Sequence, residues 1–387
     1  MSSTHEISGH RLALLRNGEE YFPHLLAAVH AARHSVYLEA YIFAADHSGR
    51  LLKDALKSAA ARDVSVHVLL DAFGSANLPA AWLDEMRMLG AKVLWFRPEL
   101  AWLRLRRRHL RRLHRKLVLV DEHIAFVGGI NIIDDVPAQM DAPRLDYAVE
   151  VRGPVVAQIA HSMLKLWKLV SWTNFRRSGS RAGLFMRQEP TRREVVFLIR
   201  DNLRHRRDIE HAYLRAIGHA QHEIIIANAY FLPGRRFRRV LLHAARRGVK
   251  VLLLLQGKVE YRLQHYATLA LYGELLQAGI EIHEYTRSFL HAKVAVVDGK
   301  WATVGSSNID PFSLWLAREA NLVVQDGGFA AALRDSLLQE MRQGARRVAE
   351  SDWQRRNLLG RIVLRGSYAL VRMLAGMTGY ARKHDDI

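Results

Sequence analysis

The 387-residue sequence predicts an internally duplicated α/β protein, and three observations carry that expectation. One succession of strand-like and helix-like runs occurs twice along the chain. Segments at matching places in the two copies resemble each other. Each copy also holds one His-x-Lys-x-x-x-x-Asp motif followed by a glycine and an asparagine.

In the first half, residues 36–43 (VYLEAYIF) read as a strand from their β-branched and aromatic content. A helical stretch through Lys57 and Arg62 follows, then a strand at 64–70, a helix at 82–90, and strands at 92–96 and 117–120, the last inside HRKLVLVD. The second half repeats the order with a strand at 224–232 (IIIANAYFL), a helix at 240–247, a strand at 249–255, a helix at 269–278, a strand at 281–285 and then HAKVAVVD. AAARDVSVHVLL resembles HAARRGVKVLLLL, and LGAKVLWF resembles AGIEIHEY. Strands alternating with helical patterns predict parallel β structure with helices on its faces. The expected organisation is an N-terminal lobe over 1–172, a polar, basic, glycine-containing linker over 173–190, a C-terminal lobe over 191–350, and a basic amphipathic segment over 351–387.

Half of the residues are hydrophobic and a quarter are charged, as in a folded protein. The 57 Lys and Arg against 38 Asp and Glu give a formal net charge of +19, which favours an anionic partner: nucleic acid, an acidic membrane or a phosphate-bearing substrate. With no cysteine, disulfides and thiolate metal sites are excluded. The short polar start does not read as a signal peptide, and no run of about 18 apolar residues predicts a spanning helix, so a soluble or peripheral protein is expected. Neither a Walker loop, a His-Glu-x-x-His signature nor a dinucleotide fingerprint is present, and no cofactor or metal is expected.

The motif copies are His114, Lys116, Asp121, Gly128, Gly129, Asn131 and His291, Lys293, Asp298, Gly305, Ser306, Asn308. Successive strand residues point to opposite faces, so His and Lys two apart emerge together and both pairs can line one cleft. A neutral imidazole can attack phosphorus and an imidazolium can donate a proton, so two histidines can divide those roles. Lys116, Lys293, Asn131 and Asn308 can donate hydrogen bonds to phosphoryl oxygens as charge develops. Asp146 in RLDYAVEV and Glu319 in LAREANLVV lie at similar distances beyond the motifs and are assigned as the carboxylates that orient the histidines. Asp121 and Asp298 belong to the motif's catalytic set by pattern, yet they end strands before turns and read as local anchors.

These residues resemble the phospholipase D superfamily, whose motif is HxKxxxxD with a trailing G-S-x-N. Within it the chain is most similar to bacterial cardiolipin synthases, in the form without N-terminal membrane spans. The resemblance runs through nearly the whole chain, including LLRNGEEYFPHLLAAV, HRKLVLVDEHIAFVGGIN, LDYAVEVRGPVV and HAKVAVVDGKWATVGSSNIDPFSL. It implies two α/β/α sandwich lobes with one active site at their interface, and a phosphatidyl-histidine intermediate with His114 as nucleophile and His291 as general acid and base. Gly129 departs from the motif where the second copy keeps Ser306, so the halves are expected to contribute unequally to the phosphate pocket, with Ser306 binding phosphate.

Two basic stretches suggest contact with lipid. Residues 104–116 (RLRRRHLRRLHRK) run into the first motif with interleaved leucines, and residues 358–383 read as a basic amphipathic helix that either lies on an acidic bilayer or covers the protein's own core. The expected reaction transfers a phosphatidyl group between two phosphatidylglycerol molecules at the cytoplasmic face of a bacterial inner membrane. The alternative is a phosphodiesterase of the same superfamily acting on lipid or nucleic acid. The lipid features make nucleic acid the less expected partner.

Overall fold

The computed structural model describes residues 4–97, 112–174, 194–201, 205–310, 317–354 and 358–377. Its first half runs β1 (Thr4–Ile7), β2 (His10–Arg16), α1 (Asn17–Ala31), β3 (Ser35–Ala40), α2 (His47–Ala61), β4 (Ser65–Asp71), α3 (Ala80–Met88), β5 (Lys92–Phe96), β6 (Arg112–Leu113), β7 (Lys116–Val120), β8 (Ile124–Gly128), β9 (Tyr147–Arg152) and α4 (Val155–Asn174). The second runs β10 (Val195–Arg200), α5 (Asp208–His219), β11 (Glu223–Asn228), α6 (Arg235–Arg246), β12 (Lys250–Gln256), α7 (Arg262–Leu269), α8 (Tyr272–Gln277), β13 (Glu281–Tyr285), β14 (Lys293–Val297), β15 (Trp301–Gly305) and β16 (Ala317–Gln325). It closes with α9 (Gly327–Gly344), β17 (Ala345–Arg347), α10 (Glu350–Gln354) and α11 (Leu358–Met377).

The duplication is plain in the strand order. The first sheet is ordered β1-β2-β9-β8-β7-β3-β4-β5 and the second β10-β16-β15-β14-β11-β12-β13-β17, so β2, β9, β8, β7, β3, β4 and β5 correspond one by one to β10, β16, β15, β14, β11, β12 and β13. The sheets are mixed rather than parallel. Within each half, strands pair in parallel where a helix crosses over, in β3-β4-β5 and β11-β12-β13, and antiparallel from β7 to β9 and from β14 to β16. The cause is local. Asp121 with Glu122 and Asp298 with Gly299 all adopt φ between 51° and 60°, the left-handed pairs of type I′ hairpin turns, which return the chain beside itself.

Helix starts follow the expected chemistry. The Asp46 carboxylate accepts from Gly49 N at 2.9 Å to cap α2, whose Leu52, Leu56 and Ala59 then face the core. Asp326 caps α9 in the same way, accepting from Phe329 N at 2.7 Å. Helices α1 to α3 cover the outer face of the first sheet, and α5 to α8 with α11 cover that of the second. Between the sheets lies one continuous core shared by both halves, in which Leu117, Val127 and Val149 join Val294, Val304 and Leu322, with α4 and α9 contributing Ile159 and Leu333. Each such fully buried aliphatic side chain is worth about 1.5–3 kcal/mol, so the halves are fixed against each other as firmly as a domain interior. Polar ties cross the same boundary, with Arg16 bonded to Glu340 at 3.1 Å and Tyr147 Oη to Ser336 Oγ at 2.8 Å.

The expected linker lies outside the described residues from 175 onward; α4 runs through Thr173 to Asn174. Of the basic stretch at 104–116, residues 104–111 also lie outside. Its described end is not a solvated arginine face: Arg115 is buried and forms an ion pair with Glu39 while donating to Ser162 Oγ at 2.8 Å.

Candidate active site

The site is assembled by two short crossings between the halves. β6 pairs in parallel with β16, and His114 N donates to Arg318 O at 3.0 Å. Reciprocally, Leu145 forms a parallel bridge with Leu290, and His291 N donates to Leu145 O at 2.8 Å. Each histidine-bearing segment is therefore stitched to the strand that opens with the other half's acid. His114 Nδ1 lies 3.0 and 3.1 Å from the two carboxylate oxygens of Glu319, and His291 Nδ1 lies 2.6 Å from Asp146 Oδ2. Both predicted carboxylates meet histidines, and each serves the histidine of the opposite half. An ionised carboxylate only accepts, so each Nδ1 carries the proton and each Nε2 keeps its lone pair for chemistry.

Lys116 and Lys293 each reach back to the histidine two residues before, while Arg115 turns to Glu39. Lys116 Nζ donates to His114 O at 2.6 Å and lies 5.3 Å from the Tyr41 ring centroid; Lys293 Nζ donates to His291 O. Burial, with mutual repulsion adding to it at Lys116, draws Lys116 down to about 7; burial draws Lys293 down to about 8 against the attraction of Asp146 and Glu319. Burial also lowers both histidines, His291 the further because Lys293 and Lys116 repel its charged form, whereas Glu319 partly restores His114. Burial pushes Asp146 up to about 6. At Glu319 burial acts in the same sense, but His114, Lys116 and the Ser306 hydroxyl together outweigh it and hold the carboxyl below its usual range. At neutral pH both imidazoles are thus uncharged and both acids ionised.

His114, His291, Asn131 and Asn308 line one cavity of about 420 Å³, which Tyr41, Arg144 and Tyr230 also help to form. Asn131 Oδ1 accepts from Ile42 N at 3.4 Å, which leaves its NH2 for the cavity. Among the described residues no group of three or more His, Cys, Asp or Glu is arranged to hold a metal ion.

Two sequence assignments are corrected. Ser306, expected to bind phosphate, is fully buried, donates to Glu319 Oε2 at 2.6 Å and accepts from Ala320 N at 3.0 Å. It holds the acid that holds His114. At the matching place a Cβ on Gly129 would lie 2.3 Å from Asp146 Oδ1, so serine is sterically barred there. The difference between the halves is a matched choice, Ser with Glu and Gly with Asp. Asp121 and Asp298 leave the catalytic set altogether. They end strands that carry them roughly 20 Å from the histidines. Asp121 accepts from the backbone N–H of Arg33, His34 and Ser35, and Asp298 from those of Gln221, His222 and Glu223, all within 2.7–2.9 Å. Each pins the loop that enters β3 or β11.

The sequence reading missed a second matched pair. Asp71 ends β4 and accepts from Leu113 N at 2.8 Å; Gln256 ends β12 and accepts from Leu290 N at 2.9 Å. Each clamps the residue before a histidine. Aligning VSVHVLLD with VKVLLLLQ places them opposite each other, so the signal was available.

Fold and site together are of the phospholipase D type. The family described as "Cardiolipin synthase, PLD-like domain" matches residues 25–165 and 213–341, and the chain belongs to that family. It is 38% identical over 353 residues to cardiolipin synthase B of Salmonella typhimurium, covering 89% of this chain and 83% of that protein. It is 30% identical to cardiolipin synthase A of Cronobacter sakazakii, covering 85% and 68%. Among solved structures, the phosphatidylserine synthase of Haemophilus influenzae shares the fold with a TM-score of 0.69 at 12% identity over 94% of each chain.

Proposed function

We propose that the chain is a phosphatidyltransferase that makes cardiolipin from two molecules of phosphatidylglycerol. The observation that carries this reading is the pair of imidazoles, each fixed at Nδ1 by an acid from the opposite half and both lining one cavity with two asparagines. The first step is attack of His114 Nε2 on phosphorus. The bond from phosphorus to the headgroup oxygen breaks, and His291, having taken up a proton at Nε2, passes it to the departing glycerol. Lys116, Lys293, Asn131 and Asn308 receive the negative charge of the five-coordinate transition state, and Glu319 balances the positive charge that His114 acquires. An incoming phosphatidylglycerol hydroxyl then gives its proton to His291 and attacks phosphorus. The P–N bond breaks, leaving cardiolipin and free His114. The assignment of His114 as nucleophile rests on the family.

The relatives' names support the lipid substrate. The net charge of +19 suits an acidic surface, and no helix among the described residues is long and apolar enough to cross a membrane. Peripheral action at the cytoplasmic face of the inner membrane is the accompanying proposal. The test is product analysis with phosphatidylglycerol vesicles. Cardiolipin and glycerol in equal amounts are expected. Phosphatidic acid as the main product would assign a hydrolase, and faster cleavage of DNA than of lipid a nuclease; either overturns the reading.

A further inference from the structure

The C-terminal helix α11 is apolar on two sides. One side belongs to the core: Leu364 and Val371 are buried, Tyr368 packs beside them, and the helix lies along α7. That much is the core-covering role the sequence allowed. The other side carries Val363 (56% exposed), Gly366, Leu370 (41%) and Met373 (56%), spaced i, i+3, i+7 and i+10 on a single stripe that the described protein leaves open to solvent. A scattered exposed leucine needs no explanation, but a continuous stripe does.

The stripe does not stand alone. Its neighbour α7 exposes Leu263 and Tyr266, and the loop before α7 exposes Val259 and Tyr261. Tyr261 is also a wall of the catalytic cavity, as is Gln264 within α7. Across the mouth the first half exposes Val136, next to the cavity-lining Asp135. Exposed apolar side chains therefore occur on α11, on the neighbouring α7 and at the rim of the cavity that holds the histidines. Beside it lies α6, tied to α11 by a bond from Arg238 Nη1 to Tyr368 Oη at 3.3 Å, with Arg235, Arg236 and Arg239 exposed.

We infer that this face, formed by α11, α7 and the cavity rim with α6 as its basic flank, seats the enzyme on an acidic phospholipid bilayer. The inference rests on the lipid reading of the site. Three observations select a bilayer as occupant. Tyr261 is both exposed beside Val259 and a wall of the cavity, so acyl chains held at this rim keep a headgroup within reach of the histidines. The exposed arginines of α6, the helix bonded to α11 through Arg238 and Tyr368, supply positive charge for anionic headgroups. A second copy of this chain docked by the same face would bring two sets of these arginines together, which like-charge repulsion opposes.

The experiment uses the full chain and vesicles of phosphatidylcholine with or without phosphatidylglycerol, and reads co-sedimentation. The doubly substituted Leu370→Glu, Met373→Glu protein should lose about tenfold or more in vesicle partition, because two apolar contacts become charges at the interface. An Arg235→Gln, Arg236→Gln, Arg239→Gln protein, which leaves the α11 packing untouched, should lose its preference for vesicles containing phosphatidylglycerol. Both should retain wild-type turnover of short-chain phosphatidylglycerol in monomeric solution. Vesicle binding equal to wild type in both would overturn the inference. So would a wild-type dimer that the Glu substitutions convert to a monomer, since the face would then be a self-interface. If the transferase reading fails instead, no form turns over phosphatidylglycerol while the difference in vesicle binding persists.

Discussion

Replacing Glu319 with Gln removes one charge and no atoms from the heart of the site. The carboxylate is wholly buried and accepts from His114 Nδ1 and from Ser306 Oγ. The amide can offer an oxygen to one of these donors but meets the other with its NH2. Either Ser306 loses its acceptor or His114 is driven to the tautomer with Nδ1 as acceptor, which puts the proton on Nε2 where the attacking lone pair must be. In the transition state His114 becomes positive, and the stabilisation of that charge by Glu319 is lost as well. A neutral-for-charged exchange at a buried imidazolium removes about 3–5 kcal/mol, or roughly 10²–10⁴ in kcat. The assay is initial-rate cardiolipin formation, with circular dichroism and Tm to show that the fold survives. Glu319→Asp, which restores charge but withdraws it from His114, should recover part of the rate. A Glu319→Gln enzyme with kcat within about threefold of wild type would refute the reasoning.

Further outcomes follow from the same geometry. Ser306→Ala removes one hydrogen bond to an ionised buried acid, about 1.5–3 kcal/mol, so kcat should fall roughly tenfold to a hundredfold with little change in KM; a phosphate contact would instead raise KM. Asp121→Ala and Asp298→Ala should each lower stability by about 1–3 kcal/mol in urea titrations while the folded protein keeps its kcat, because three backbone N–H groups lose their acceptor far from the cavity. Both aspartates are held below the ordinary carboxylate range, by backbone amides that outweigh burial, so their contribution is present above the unfolded pKa and is lost as pH falls through the folded one. Because His291 must carry a proton to act as the acid and burial lowers its pKa, kcat/KM should fall with rising pH through the neutral range, more steeply between about 7 and 8 as Lys116 and then Lys293 lose their protons. In the Lys116→Arg protein the alkaline fall should move up, since a guanidinium keeps its charge.

Much of the site was legible because its geometry is local. His114 and His291 stand two residues before Lys116 and Lys293, which open β7 and β14, and extended backbone over so short a span keeps each pair together without any tertiary knowledge. Asp146 and Glu319 could be found by distance along the chain, but not which histidine each serves. That pairing depends on β6 meeting β16 and on Leu145 meeting Leu290, contacts of one or two residues between segments far apart in sequence. Ser306 was misread because its motif position implies proximity to phosphate, while its hydroxyl is turned to Glu319. The parallel expectation for the sheets failed at β7 to β9 because the Asp121-Glu122 turn acts through left-handed φ values, which residue alternation does not report. Asp298-Gly299 did carry the Asp-Gly signature of a hairpin, and the antiparallel return of β14 to β15 could have been read from it.

The proposed chemistry depends on two histidines that share one phosphoryl transfer unequally. The direct measurement is alkaline denaturing quench of single-histidine proteins mixed with a phosphatidyl-p-nitrophenol donor carrying radiolabelled phosphate, whose leaving group departs without a proton from His291, followed by mapping of the labelled residue. In His291→Ala, label should accumulate on His114 in an acid-labile, base-stable bond, because the group that activates the acceptor is gone; in His114→Ala no label should appear. Label on His291 in the His114→Ala protein, or none in either folded variant, would contradict it.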